Sequence, residues 1–239
     1  LSFSGGGTSS PTVSNNIAFA NSTPFKYYEI VFSTLAAATN GGMNVATGIS
    51  TSYGLGMALN SINLYGSALT PSALSFNQAI TASGAVTVNT GTLAATHISA
   101  GGTLTINNSG AATVSGAISN NGSNAASLVK SGAGTLALSG ASTFTGATTV
   151  SAGTLQVGAG GTTGSLAGDV TNNATLAFNR SDDLTFAGII SGTGAVTKLA
   201  ANTLTFSGTN TYTGGTTISA GTLQIGAGSN IGSITGDVT

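Results

Sequence analysis

The sequence predicts an all-β protein whose short strands stack as the successive coils of a parallel β-solenoid. Three observations lead to this prediction. The composition suits strands and turns, short segments alternate apolar with polar residues, and a long stretch of the chain is repeated almost unchanged. The first two observations establish the all-β class, and the third separates a solenoid from the other all-β folds.

The composition of the 239 residues disfavours helices. Only 4% of the residues are charged, whereas about 25% are charged in ordinary soluble domains. Helix surfaces normally carry Glu, Lys, Gln and Arg, but this chain offers Thr, Ser, Gly, Asn and Val, which favour strands and turns. Hydrophobic residues make up 40% of the chain. A chain with so much apolar content and so little net charge is not expected to be disordered.

The charges also exclude several functions. The net charge is −1, and the chain contains only 4 Lys and Arg residues, too few for the basic surface that follows a nucleic-acid backbone. No basic amphipathic helix is apparent, and no apolar run reaches the roughly 18 residues that a membrane-spanning helix needs. The chain has no Cys, so that disulfides and zinc–thiolate sites are excluded. We therefore expect no nucleic-acid partner and no membrane-spanning segment.

Short alternating segments predict the strands. GTLALSG, TTVSAGTLQVG, GDVTNNATLAFN and DDLTFAGIIS each place apolar residues at every second position and end in Gly, Asn or Ser. Alternation puts Leu136 and Leu138 on one face of a strand, and Leu155 and Val157 on one face of another. Turn residues recur about every 8–12 positions. This rhythm by itself fits a sandwich, a barrel or a solenoid.

The internal repeat favours the solenoid. Residues 130–171 align without a gap with residues 198–239, at an offset of 198 − 130 = 68, and 26 of the 42 positions are identical. Residues 102–119 align with 174–191 at an offset of 72, so the first copy holds 72 − 68 = 4 extra residues, which we place in a loop within 120–127. A near-identical copy implies the same side chains meeting the same neighbours again, as in stacked coils of roughly 20 residues.

The domain boundaries follow from the extent of the repeat. We expect solenoid coils over residues 72–239, with long repeat units at about 102–171 and 174–239. Residues 1–71 lack the repeat, and we interpret them as an irregular N-terminal cap that covers the open edge of the first coil. Four tyrosines of this segment, Tyr27, Tyr28, Tyr53 and Tyr65, form an alternative candidate, a binding or self-association surface.

The repeated segment resembles a known family. The pattern GxGTLxLSGxxTFTGxTTVSAGTLQVG at 132–158, and its second copy NTLTFSGTNTYTGGTTISAGTLQIG at 202–226, are similar to the autotransporter passenger-associated repeat, also called the autotransporter-associated β-strand repeat. The resemblance implies a right-handed parallel β-helix displayed outside a Gram-negative-type cell. It also implies that the repeats help the exported segment to fold and hold functional parts away from the surface. It assigns no activity.

Few residues are candidates for chemistry. His97 is the only histidine, and one histidine without nearby Cys or clustered carboxylates does not make a metal site. Arg180, Asp182 and Asp183 form the densest charge cluster, which we interpret as a solvated turn, with weak cation or sugar binding as the alternative. Neighbouring residues of a strand point to opposite faces, which is poor geometry for a paired acid and base. We expect no catalytic residue, cofactor or metal.

Other charged residues recur between the copies. Asp169 corresponds to Asp237, and Lys130 corresponds to Lys198. Recurrence at the same repeat position favours a structural role, with each Asp capping a backbone turn of its own.

The functional hypothesis is a non-enzymatic extracellular structural protein: a cell-surface stalk, an adhesin or a self-associating fibre subunit. Its expected partners are other copies of the chain, joined end to end or side by side, and a surface polysaccharide or a host surface. Two alternatives remain open. The rod could be the scaffold of a secreted polysaccharide-acting enzyme, which would require Asp182 or Asp183 close to His97, or a spacer in an autotransporter passenger.

Overall fold

The computed structural model describes residues 85–228 and 232–239, together with short strands between residues 43 and 82. These residues form strands and turns, and no helix occurs among them. The strands are β1 (Met43–Asn44), β2 (Ile62–Leu64), β3 (Ala73–Phe76), β4 (Ile80–Ala82), β5 (Val86–Thr90), β6 (Thr92–Ala95), β7 (Ile98–Ala100), β8 (Thr103–Asn108), β9 (Ala112–Val114), β10 (Ile118–Asn120), β11 (Ser127–Ser131), β12 (Thr135–Leu138), β13 (Thr148–Val150), β14 (Thr154–Val157), β15 (Val170–Asn172), β16 (Thr175–Phe178), β17 (Leu184–Phe186), β18 (Ile190–Ser191), β19 (Ala195–Lys198), β20 (Thr203–Phe206), β21 (Thr216–Ile218) and β22 (Thr222–Ile225).

The strands build a three-sided parallel β-solenoid of about seven turns. One side is the nine-stranded sheet β1-β3-β6-β9-β12-β14-β16-β19-β21, and the second is the seven-stranded sheet β18-β15-β13-β11-β8-β5-β2. The third side carries two three-stranded sheets, β10-β7-β4 and β17-β20-β22. The register pairs Thr135 with Thr154 and Thr154 with Thr175, so that successive coils are 19 and 21 residues long. The predicted fold class and coil length are confirmed.

Stacked apolar residues fill the interior of the solenoid. Leu136, Leu155, Leu176 and Val196 follow one another as Cα partners in the nine-stranded sheet, and each is at most 1% exposed. Burying a side chain of this size stabilises the fold by about 1.5–3 kcal/mol. On the last strand, Ile225 is 40% exposed because no further strand pairs with β22 in the described residues. The apolar side chains of each coil therefore become fully buried only when the next coil stacks on it.

Glycines allow the coils to stack closely at the corners. The corner that follows the nine-stranded sheet places Gly140 directly against Gly116 of the preceding coil. A Cβ atom on Gly140 would lie 2.1 Å from the carbonyl oxygen of Gly116 and 2.2 Å from its carbonyl carbon. Real Cβ atoms do not approach backbone atoms so closely. Glycine at this corner is therefore required by contact between coils.

The two repeat copies lie on different sides of the solenoid. Strand β11 of the first copy belongs to the seven-stranded sheet, but its counterpart β19 belongs to the nine-stranded sheet. Likewise β12 and β14 lie in the nine-stranded sheet, whereas β20 and β22 lie in a sheet of the third side. An offset of 68 residues equals three coils of about 20 residues plus one further side. Equivalent residues therefore meet equivalent kinds of neighbours, but on the next side, which the sequence did not predict.

The loop predicted within residues 120–127 is confirmed, since residues 121–126 connect β10 to β11. Of the proposed N-terminal cap, the structure describes β1 and β2, which pair in parallel with β3 and β5. The cap itself stays a prediction. Within the described part of the chain, no helix is long and apolar enough to span a membrane.

Candidate functional site

Lys130 is the first charged residue that the structure places inside the solenoid. It lies on β11, where Leu128 and Lys130 both point inward, and its side chain is fully buried. Its Nζ donates hydrogen bonds to the carbonyl oxygens of Ser131 at 2.8 Å, Gly132 at 2.8 Å and Ala152 at 3.2 Å. Burial lowers the pKa of Lys130 from 10.5 to about 8. The ammonium group thus ties its own corner to the corner of the next coil.

Lys198 repeats this arrangement one side further on. It is 1% exposed, and its Nζ donates to the carbonyl oxygens of Ala200 and Ala220 and, at 3.0 Å, to Oδ1 of Asn202. Burial lowers the pKa of Lys198, while the nearby charge of Asp183 opposes that shift. Both lysines therefore use all three ammonium protons within the fold. The structural role expected from their recurrence agrees with this geometry.

The guanidinium of Arg180 holds a glycine-rich loop against the coil. Its Nε donates to Oδ1 of Asp182 at 2.8 Å and one terminal nitrogen donates to Oδ2 at 2.5 Å. The terminal nitrogens also donate to the carbonyl oxygens of Gly164 at 2.9 Å and Thr162 at 2.6 Å. The hydrogen bonds from Arg180 lower the pKa of Asp182. Arg180 is only 15% exposed, so its charge is used inside this cluster.

Asp183 and Asp169 contact the next coil. Asp183 accepts a hydrogen bond from the backbone N–H of Thr203 at 2.7 Å, whereas Asp182 faces Arg180. The two neighbouring carboxylates therefore serve different coils and do not form a paired acid and base. Asp169 accepts from the backbone N–H of Ile189 at 2.8 Å. The expectation that Asp169 caps its own turn was wrong, because its partner lies 20 residues further along, on the stacked coil.

His97 lies far from the carboxylates. Its Nε2 is 3.1 Å from Oγ of Ser119, one coil along, and the ring is half-buried. Four coils separate the position of His97 from that of Asp182 and Asp183, which corresponds to about 19 Å along the solenoid axis. No group of three or more His, Cys, Asp or Glu side chains able to hold a metal occurs among the described residues. Tyr27, Tyr28, Tyr53 and Tyr65 lie outside the described residues.

A shallow groove interrupts the third side. It has a volume of about 280 Å³ and lies between residues 165–168 and β17. Its walls include the apolar side chains of Val157, Leu166, Leu184 and Phe186, with Ser165 and Thr185 as the polar ones. No charged or nucleophilic pair lines it, so the groove offers space but no evident chemistry.

Comparison with known sequences identifies the repeated unit. The family model described as Passenger-associated-transport-repeat matches residues 128–157 and 196–225. The chain carries this repeat twice. Each match includes one of the two buried lysines, most of the strand that carries it, and the three strands that follow. The resemblance seen in the sequence is thereby confirmed.

One curated relative is an autotransporter adhesin, BmaC, of Brucella suis biovar 1 (strain 1330). It is 47% identical over 87 residues, which make up 36% of this chain and 2% of the adhesin. The match thus spans a small part of that protein. Comparison with the solved structures finds no match.

Sequence reasoning underestimated the lysines of the passenger-associated transport repeat. The sequence did contain a signal for their burial. In SLVKS, Lys130 stands two residues after Leu128 and therefore points to the same, inward face, and a lysine recurs at this position in the second repeat. What the sequence could not supply was the set of carbonyl oxygens around Nζ. Two of the acceptors, from Ala152 and Ala220, belong to the following coil.

Proposed function

We propose that the chain is part of the surface-displayed passenger of an autotransporter adhesin of a Gram-negative-type bacterium, where it acts as a non-enzymatic rod. The two passenger-associated transport repeats and the similarity to an autotransporter adhesin support this role. The rod holds adhesive parts of the passenger away from the cell. Surface polysaccharide or a host surface would be the partner of those parts.

The observation that supports the proposal most directly is that the charged side chains of the coils between residues 85 and 228 are bonded to other atoms of the solenoid. The three cationic side chains between residues 85 and 228 are Lys130, Arg180 and Lys198, and the ammonium or guanidinium group of each is bonded to carbonyl or side-chain oxygens of the coils. Asp182 and Asp183 are bonded in the same way. Charged groups at a catalytic site face a substrate, whereas these groups bond to the protein itself. The two lysines, Arg180 and Asp183 bond to a neighbouring coil, and Asp182 pairs with Arg180.

The alternative of a polysaccharide-acting enzyme has less support. It requires a carboxylate of Asp182 or Asp183 near His97, but about 19 Å of solenoid separates them. Glycosidases place their two carboxyl groups within about 10 Å of each other. A spacer role agrees with the proposal, since a spacer and a stalk differ only in what the rest of the passenger does.

An exchange of repeat copies tests the rod function. In the full-length protein on intact cells, residues 139–160 are replaced by residues 207–228, which preserves the number of residues, 16 of the 22 positions and every glycine of the segment. A rod tolerates this exchange, so we expect surface exposure, measured with an antibody, and adhesion to remain at the native level. Deletion of the same residues, which shortens the rod, is the matched comparison and should lower adhesion. Loss of adhesion after the exchange, at unchanged surface exposure, would show a specific site in this segment and contradict the proposal.

We further propose that copies of the rod associate side by side. Between residues 85 and 168 the one charged side chain is Lys130, which is buried, so these coils present a surface of Thr, Ser, Asn and small apolar residues. Without charge repulsion, rods can approach side by side. We expect concentration-dependent light scattering in the native protein and a reduction in Thr149→Lys, but not in Thr149→Gln. Monodisperse single rods at high concentration would contradict it.

A further inference from the structure

We propose that Asn121 is a site of spontaneous deamidation, which converts it to a mixture of aspartate and isoaspartate. The inference is independent of the proposed adhesin role and concerns the turn that connects β10 to β11. Deamidation of asparagine requires the backbone nitrogen of the next residue to reach the side-chain carbonyl carbon. Glycine at the next position leaves that nitrogen unshielded and the backbone free to rotate.

The turn presents Asn121 and Gly122 in this way. The backbone of the turn is anchored at its ends, because Asn121 N–H donates to the carbonyl oxygen of Ala100 at 2.9 Å and Asn124 N–H donates to that of Asn121 at 3.2 Å. Gly122 is exposed, has a φ of 62°, and has no atom within 4 Å of the position a Cβ would take. The side-chain amide of Asn121 and the backbone N–H of Gly122 have no hydrogen-bond partner among the described residues.

Other asparagines of the solenoid are protected. Asn172 is fully buried; its amide donates to the carbonyl oxygen of Ala195 at 2.8 Å and accepts from Ala174 N–H at 3.2 Å. The neighbouring Asn120 accepts from the backbone N–H groups of Ala126 and Thr145. In the described part of the chain, Asn121 is the one asparagine that precedes a glycine. An Asn-Gly sequence and a partly exposed, unbonded side-chain amide therefore coincide at this position.

The reaction needs only solvent. The Gly122 backbone nitrogen gives its proton to a base in the solution and attacks Cγ of Asn121. A bond forms between that nitrogen and Cγ, and the bond between Cγ and Nδ2 breaks. Nδ2 takes up a proton from the solvent and leaves as ammonia, which produces a cyclic imide. Water then adds to one of the two imide carbonyls and breaks its bond to nitrogen. Opening on the Cγ side gives aspartate, and opening on the backbone side gives isoaspartate.

The product changes the surface of the coils. Because Lys130 is buried and no other Asp, Glu, Lys or Arg lies between residues 85 and 168, the new carboxylate is the exposed charge on this part of the rod. The turn also lies in the insertion that distinguishes the first copy, since the second copy runs directly from Ser191 through Gly192 to Ala195. The modification therefore marks one repeat copy and leaves the other unchanged.

The test is to incubate the folded chain at mildly alkaline pH and to follow each asparagine by electron-transfer fragmentation and by labelling with an isoaspartate-specific methyltransferase. We expect conversion at Asn121, none at the exposed Asn124, which precedes Ala125, and complete loss of the signal from the fragment that contains position 121 in Asn121→Gln. A synthetic peptide of residues 118–126 in the same buffer sets the unrestrained rate. Persistence of the Asn121 amide in the folded chain, after the peptide has converted, would overturn the proposal. Equal conversion at Asn124 would overturn it as well.

Discussion

The hydroxyl of Tyr212 lies 2.5 Å from Oγ1 of Thr216, and both residues are buried. The equivalent pair in the first repeat copy is Phe144 and Thr148, where the aromatic ring has no hydroxyl and Oγ1 of Thr148 is buried without a hydrogen-bond partner. A buried hydroxyl without a partner costs about 1–3 kcal/mol. One of the 42 − 26 = 16 differences between the aligned copies thus decides whether a buried polar atom is satisfied.

Introducing the missing hydroxyl should stabilise the first copy. We expect Phe144→Tyr to raise the free energy of unfolding by about 1 kcal/mol, since it pairs Oγ1 of Thr148, and Tyr212→Phe to lower it by about 1–3 kcal/mol. Denaturant unfolding measures both. Thr148→Val is the control, because it removes the unpaired hydroxyl without adding volume and should be neutral or stabilising. Destabilisation by Phe144→Tyr together with destabilisation by Thr148→Val would contradict this explanation.

The buried lysines should make stability depend on pH. The pKa of Lys130 is about 8 in the folded chain and 10.5 ordinarily, so between these values the unfolded chain binds a proton that the folded chain does not. The free energy of unfolding should therefore rise as the pH increases above about 8. Near pH 10.0 tyrosine opposes this rise. Burial raises the pKa of Tyr212, so the unfolded chain loses the phenol proton while the folded chain still holds it.

Lys130→Met provides the comparison for this pH dependence. The variant retains the apolar stem of the side chain but loses three charge-assisted hydrogen bonds, and we expect a loss of about 1–3 kcal/mol at neutral pH. Thermal unfolding across the pH range should show a smaller rise in this variant than in the native protein. An equal rise in both would show that Lys130 is not the group responsible.

Corner glycines should differ sharply in their tolerance of a methyl group. Gly140→Ala would place Cβ 2.1 Å from a backbone oxygen of the neighbouring coil, whereas Gly161 has nothing within 4 Å. We expect Gly140→Ala to cost about 3 kcal/mol or more and Gly161→Ala to change stability by less than about 0.5 kcal/mol. Equal effects in denaturant unfolding would contradict the stacking of Gly140 on Gly116.

Arg180 should control the mobility of the loop formed by residues 158–164. Arg180→Met removes the donors to the carbonyl oxygens of Thr162 and Gly164, and we expect a loss of about 1–3 kcal/mol with faster subtilisin cleavage in the loop. Asp182→Asn retains those two hydrogen bonds and weakens only the pair with Asp182. Its loop should therefore stay close to native in cleavage rate. Identical cleavage in Arg180→Met and the native chain would contradict this role.

Much of the fold was predictable from local patterns. Alternation in segments such as GTLALSG gave the inward positions of Leu136 and Leu138, and the change of offset between the copies located the loop after β10. The rotation of the second copy by one side was not predictable, because it depends on how many residues each corner uses. The unpaired hydroxyl of Thr148 was also missed, since its burial arises only when coils stack.

The candidate site was less predictable than the fold. The sequence indicated that Asp182 and Asp183 face different ways, which the structure shows through their different partners, Arg180 and Thr203. It did not indicate that a lysine would be enclosed, because lysine is normally exposed. The carbonyl oxygens that make this burial tolerable come from residues up to 22 positions away.

The central claim is that the cationic side chains of the described coils are enclosed by these coils and connect them. Trypsin digestion of the native protein tests this claim most directly. Lys130, Arg180 and Lys198 are the trypsin sites C-terminal to residue 85, and all three are enclosed by the coils. We expect no cleavage at these residues in the native chain, cleavage at all three after denaturation, and cleavage at the new residue in native Ser123→Lys, whose exposed turn serves as the positive control. Rapid cleavage of the native chain at Lys130 or Lys198 would show that these side chains are accessible and would contradict the account.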